Sequence, residues 1–350
     1  MKLKHLIFST FALFSLFAMF ILEFTKKESP IKHIGTLSCF HENEAKDKKA
    51  TCELSSATRL GNYIISSNDK DNNSVLFYTI NSIKKNKYQR KIKPALKIQL
   101  PPECKIKKSE SISIFKDWVI SFGSYDRNTD VLFTKIIAFK FNEKEEKASD
   151  FQVVAGPELY NTFKKLLNTS STTPIDYFKI EGSAIVPNPN NPSQSILLLG
   201  IREEGKSYKN GENQAATKII TVSIFEKDGK VIFGNDWKLA YNRVHTKDFG
   251  ISSLEYNPQD KHLYVLLAHE KNEAFSSKLL KIRIPALFSN QELHVVDETS
   301  FKAHKAEGVA YLGNNEYFIV ADDDRAKTFL PYEKRNVDES PYWIISPKEK

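Results

Sequence analysis

Cysteine is scarce. The 350-residue chain holds three, Cys39, Cys52 and Cys104, all in its first third and none in a Cys-x-x-Cys pair, so a zinc or thioredoxin-like centre has no support. Glycine (13) and proline (14) are also few. No glycine-rich loop follows a strand and opens a helix, which removes nucleotide-binding loops, and no Gly-x-Ser-x-Gly elbow marks an α/β-hydrolase. Clustered basic residues are missing too: net charge is +8, but lysines are mixed with acids, as at Lys105 to Lys108 and Glu143 to Lys147. A nucleic-acid groove needs grouped Arg and Lys interleaved with stacking aromatics. The nearest stretch, Lys84 to Lys93 with Tyr88 and Arg90, reads as the charged loop or edge of an outer strand, so no nucleic-acid partner is expected.

What the chain has is strand material. Its 24 Phe and 14 Tyr suit β-structure, and the apolar content is enough for a sizeable core. The length admits two average domains or one closed all-β body, and a repeat described below favours one body, residues 31–350, expected to be a monomer. Residues 1–30 are a separate object. Lys2 and Lys4 precede an uncharged apolar run from Leu6 to Leu22, followed by Glu23, Lys26 and Lys27 and a Ser29-Pro30 break. The run is long for a signal-peptide core and short for an ordinary span, so cleaved leader and retained membrane anchor both stand. Either way, the basic start predicts a body outside the cytoplasm, periplasmic or secreted. There an oxidising compartment permits one disulfide, Cys39 with Cys52 by preference; the alternative is three small buried apolar thiols.

A short phrase recurs along the body: a small or acidic pair opening an apolar strand, then a second apolar strand ending in charge. The clearest copies are Glu181-Gly182-Ser183-Ala184 with a strand ending at Arg202, and Glu307-Gly308-Val309-Ala310 with a strand ending at Asp322-Asp323-Asp324. Weaker copies start at Leu54, Glu110 and Gly250, so anchors at 54, 110, 181, 250 and 307 lie 56, 71, 69 and 57 residues apart. That spacing predicts a single all-β propeller of four-stranded blades, five in number with six as the alternative. A two-sheet sandwich and a pair of small β domains lack the repeat. The third blade reads as Glu181 to Val186, Ser195 to Ile201, Lys218 to Phe225 and Val231 to Leu239. The second reads as three runs, Ser111 to Phe115, Trp118 to Gly123 and Val131 to Phe141. The last blade is one strand short, and Ile34 to Phe40, from the other end of the body, is predicted to complete it and close the ring. One helical insertion is expected over Pro157 to Leu167, with proline at its start.

Together with Leu199-Gly200-Ile201-Arg202, and with Phe122 to Asp126 as a third stretch, the two clear phrases resemble those of phytase-like or esterase-like bacterial propellers of unknown function. The resemblance covers about residues 50 to 325. It implies the propeller fold and a loose hydrolase label. The chain departs from the pattern at Ser183, Tyr125 and Leu54, which bears on a shared activity more than on the fold.

In a propeller, residues at equivalent places in different blades meet around the axis. Glu110, Glu181 and Glu307 would then form a partial carboxylate ring, a hard-cation or polarised-water site, unless each caps amides or pairs with Arg202 or Arg325. A second group follows the second strands: Asn68, Asp69 and Asp71; Asp126 and Arg127; Arg202 and Glu203; His269 and Glu270; and Asp322 to Arg325. Three adjacent carboxylates repel unless a cation offsets them. The expected ligand-binding set is therefore Glu110, Arg127, Glu181, Arg202, His269 and Glu307. The expected metal set is Asp69, Asp322, Asp323 and Asp324, holding Ca2+ or another divalent cation. His245 and His304 are further candidate bases, while Ser56, Ser111 and Ser183 are expected to be small because strands crowd the axis. Two functions fit: an extracytoplasmic propeller binding a small anionic molecule and hydrolysing an ester or phosphoester with a bound metal, or a non-catalytic scaffold for a protein partner. Convergence of the acids on an open pocket favours the first; pairing with arginine and backbone favours the second.

Overall fold

Strands here carry apolar residues at consecutive positions, as in Trp118-Val119-Ile120, which a sheet with one wet face would not need. Both faces are buried. The computed structural model describes residues 31–40, 51–85, 91–128, 130–209, 211–241, 248–271, 274–289, 295–302, 304–322 and 338–347. These form five sheets, four of them antiparallel and ordered from inner to outer strand as the chain runs, while the fifth takes its outer strands from the start of the chain, the outermost pairing parallel.

The first blade is Thr58–Leu60, Tyr63–Ser66, Ser74–Thr79 and Leu96–Gln99, and the second is Ser109–Phe115, Trp118–Gly123, Ile136–Asn142 and Lys147–Ala155. The third is Tyr177–Asn188, Asn191–Gly205, Asn213–Lys227 and an outer strand in two pieces, Lys230–Phe233 and Lys238–Tyr241. The fourth is Gly250–Asn257, His262–Lys271, Ala274–Arg283 and Val295–Lys302. The fifth is Ala306–Gly313, Glu316–Ala321 and Glu339–Ile345, completed by Ile31–Ser38. The inner strands touch in a closed circuit, first to second to third to fourth to fifth and back to first.

Five separate apolar clusters each fill the gap between two neighbouring blades. Val119 packs against the first blade while the next residue, Ile120, packs against the third, as the two-residue period of a strand dictates. Five sheets and five shared gaps make a five-bladed propeller.

The predicted closure holds: Ile31–Ser38 pairs antiparallel with Glu339–Ile345, from Ile31 opposite Ile345 to Ser38 opposite Glu339. A disulfide joins Cys39, just after that strand, to Cys52 at the start of the first blade, and Cys104 is a buried free thiol. The edge predicted near Lys84 to Lys93 is Lys91–Ile92, which pairs parallel outside Ile31–Ser38.

Some strand boundaries differ from expectation. Val131–Phe133 is a 3-10 turn whose Asp130 carboxylate accepts from the Leu132 amide, so the third strand of the second blade starts only at Ile136. The fourth strand there, Lys147–Ala155, carries too little apolar alternation to have been read from sequence. The outer strand of the third blade breaks because Asp236 accepts from both the backbone and the hydroxyl of Ser223. The predicted helix is Glu158–Asn168; it buries Tyr160, Phe163 and Leu167, with Phe163 edge-on to Trp237 at 4.9 Å. The apolar run Leu6 to Leu22 lies outside the described residues; among these, no helix is long and apolar enough to cross a membrane.

Candidate functional site: the charged mouth of the channel

Inner strands start, and second strands end, at one mouth of the channel. Glu110, Glu181 and Glu307 occupy the same structural place there. Ser109 pairs with Gly123 and Ser111 with Phe122; Ile180 pairs with Ile201 and Gly182 with Gly200; Ala306 pairs with Ala321 and Gly308 with Val320. In each blade two inner residues are spent against one partner, and the extra residue of the bulge is the glutamate. A bulge re-aims its side chain out of the ladder. The fourth blade bulges at Ser252, between Ile251 and Ser253, and its hydroxyl donates to the Ala306 carbonyl at 2.8 Å.

The three glutamates are 2–4% exposed, and an isolated buried carboxylate would be very costly. Each meets a cation. Arg202 Nη1 lies 3.1 Å from Glu181, and Lys179 also donates to Glu181 while standing 3.1 Å from Glu110. Lys305 lies 3.1 Å from Glu307 and 3.3 Å from both Asp322 and Glu270. Lys108 is 3.8 Å from Glu110, and Lys70 is 2.7 Å from buried Glu53 and 3.2 Å from Asp69. Gly250 admits Arg202 to this ring: a Cβ there would lie 2.0 Å from the Arg202 carbonyl oxygen.

The acids do not share one electrostatic fate. Burial pushes Glu181 up, but Arg202, Lys179 and Lys305 outweigh it and hold the carboxyl well below the usual range. Burial and the charge of Glu181 push Glu307 well above that range, and the nearby lysines and Arg202 only partly oppose this. Both Glu307 oxygens are buried without a hydrogen bond, despite the ion-pair distance to Lys305. Asp69 is also pushed up, by burial and then by Glu110, against the pull of Lys70. One carboxyl pulled down by cations and one pushed up by burial and a neighbouring charge thus stand in the same network, the kind of split that acid–base chemistry uses.

Of the expected ligand set, Glu110, Glu181, Arg202 and Glu307 come together. Asp69 and Asp322 from the expected metal set join them, while Asp323 and Asp324 lie outside the described residues, as does His245. Arg127 does not join the ring. Its exposed guanidinium lies 5.0 Å over the Phe133 ring and 5.5 Å over Tyr208, 3.8 Å from Asp126. His269 is half-buried at the edge, its Nδ1 2.7 Å from the Asp248 carbonyl, and His304 packs edge-on to Trp343. Among the described residues, no three His, Cys, Asp or Glu side chains are grouped as metal ligands.

Sequence reasoning missed the lysines. The signal was present: Lys108, Lys179 and Lys305 each stand two residues before a ring glutamate, and residues two apart share a strand face. The small hydroxyls behave as expected of a crowded axis, Ser183 lying 2.5 Å from Ser111 and 2.6 Å from Ser113.

Neither a protein-family description nor a curated protein matches the sequence. Among solved structures, the chain is similar to the catalytic domain of a GH62 α-L-arabinofuranosidase from Coprinopsis cinerea, at 6% identity and TM-score 0.48 over 92% of this chain and 99% of that one. It is also similar to the PQQ domain of pyranose dehydrogenase from Coprinopsis cinerea, at 6% identity and TM-score 0.41 over 90% and 96% of the two chains. A glucose dehydrogenase aligns at 7% identity and TM-score 0.41 over 84% of this chain and 98% of the other. These are likenesses of chain trace alone.

Proposed function

We propose that the charged mouth is an acid–base site acting on a small, polar, hydrolysable molecule. Glu307 is the proton donor and Glu181 the fixed anion. The observation that carries this reading is the split between the two: one glutamate pulled below the usual carboxylate range by Arg202 and Lys179, the other pushed above it by burial and by its neighbour's charge. The unbonded Glu307 oxygens support a substrate that offers hydrogen-bond donors. An anionic ligand fits less well, because Arg202, Lys179 and Lys305 already face carboxylates. The esterase-like resemblance puts esters among the substrates to try.

The second reading, a non-catalytic scaffold, is favoured by those same ion pairs, which satisfy Glu110 and Glu181 without any ligand. Chromogenic esters, phosphoesters and glycosides separate the two. We expect turnover of one class, reduced at least about 100-fold in Glu307→Gln. No turnover of any class by the folded wild-type protein would favour the scaffold. Melting with calcium and with a chelator is a further arm: a calcium-dependent rise would put a cation beside Asp69 and Asp322 and give the acids a ligating role.

The body is proposed to lie outside the cytoplasm. The basic start, the apolar run and a disulfide that only an oxidising compartment would keep support this.

A further inference from the structure

The channel has a second mouth, where the inner strands end, and all five blades line a cavity of about 430 Å³ there. Its volume falls in the range of small-molecule sites, roughly 300–1,000 Å³. Arg59 comes from the first blade, Ser113 from the second, Ile185 from the third, Glu255 and Gln259 from the inner strand of the fourth and the turn after it, and Tyr311 from the fifth. Its polar groups are held in place. Arg59 Nε donates to the Gly61 carbonyl at 2.9 Å and Nη1 to the Leu312 carbonyl at 2.6 Å, which fixes the guanidinium plane and leaves Nη2 free of those bonds. The Tyr311 amide donates to Glu255 Oε1 at 2.9 Å, and the Tyr311 hydroxyl donates to the Gln259 carbonyl oxygen, turning the Gln259 amide nitrogen away from that bond.

We propose that this second mouth binds a small monocarboxylate, received by the Arg59 guanidinium, the Gln259 amide nitrogen and the Glu255 carboxyl as a hydrogen-bond donor. A planar guanidinium fork suits a carboxylate better than a point charge does. The apolar walls, Ile185 with the rings of Tyr256 and Tyr311, leave room for an organic tail.

The charge state of Glu255 fits this role. Burial pushes its carboxyl up to about 8, against the opposing pull of the Tyr311 amide and Arg59. Arg59, from the first blade, is the charged side chain that acts on it; Tyr311 faces it from the fifth blade and Tyr256 follows it on its own strand. At neutral pH the carboxyl therefore carries a proton to donate, and above pH 8 it becomes an anion that repels the ligand. The site is independent of the charged mouth, so either proposal can fail alone.

Calorimetric titration of the full chain with lactate and with benzoate, using lactamide and benzamide as uncharged controls, tests the proposal. At pH 7 the carboxylates bind and the amides do not, and affinity is about tenfold weaker at pH 9. Arg59→Gln weakens binding at least about tenfold, with the melting temperature showing the variant folded. Glu255→Gln keeps the pH 7 binding and loses the pH dependence, and Glu307→Gln, at the other mouth, changes neither. Absence of binding by both carboxylates at millimolar concentration, equal binding of the amides, or a flat pH profile in the wild type would overturn it.

Discussion

A single glutamate at the axis is expensive, and what surrounds it decides whether it is tolerable. Arg202 and Glu181 are both nearly fully buried and 3.1 Å apart. Removing one partner of such a pair leaves a buried charge without compensation. Arg202→Met is expected to cost about 3–5 kcal/mol in denaturant unfolding, with most of it recovered in Arg202→Met/Glu181→Gln; equal losses in both variants would mean that the pair is not the unit. Glu307 has the opposite sign. Its folded-state carboxyl titrates above the unfolded value, so between the two the folded protein holds more protons, and stability falls as pH rises. Glu307→Gln should flatten that slope and melt higher than wild type at pH 8, with little difference near pH 4. A lower melting temperature at pH 8 would show that the ionised form is the stable one.

At the scale of the strand, the working device is the bulge. The phrase Glu-Gly in the third and fifth blades is legible because both residues serve it: the glutamate is the extra residue, and the glycine after it lets a neighbouring inner strand come close. A Cβ on Gly308 would lie 2.5 Å from the Ala57 amide nitrogen and 2.6 Å from the Ser56 carbonyl carbon, backbone atoms that cannot swing aside. Gly308→Ala is accordingly expected to destabilise by about 1–3 kcal/mol, seen as a lower midpoint with unchanged slope in denaturant. A neutral result would mean that the first blade shifts without cost. The helix Glu158–Asn168 was readable from its proline start and its apolar face; the fourth strand of the second blade was not, because Ser149, Asp150 and Gln152 hide the alternation of a half-exposed outer strand.

For the molecule as a whole, stability rests on closing a ring. Ile31–Ser38 and Glu339–Ile345 come from opposite ends of the body, and the Cys39–Cys52 bond ties the closing strand to the next blade. Replacing both cysteines by serine is expected to cost about 2–4 kcal/mol, and a reductant should lower the wild-type melting temperature but not the variant's. Insensitivity of the wild type to reductant would show the bond to be dispensable. The propeller, the strand that closes it and the equivalent places of the three ring glutamates were legible in the sequence, with five blades read ahead of six, because a repeated unit writes its period and its equivalent positions into the chain. Which cation faces which acid was decided only in three dimensions. Lys179 serves Glu110 of the preceding blade as well as its own Glu181, and Lys305 serves acids from two blades. Arg127 and Arg202 follow equivalent strands, yet one stacks on outer rings and the other reaches the axis past Gly250. Charge pairing across blades depends on distances between strands far apart in the sequence, and the energy of a buried charge is set by those distances and not by its own place in a repeat.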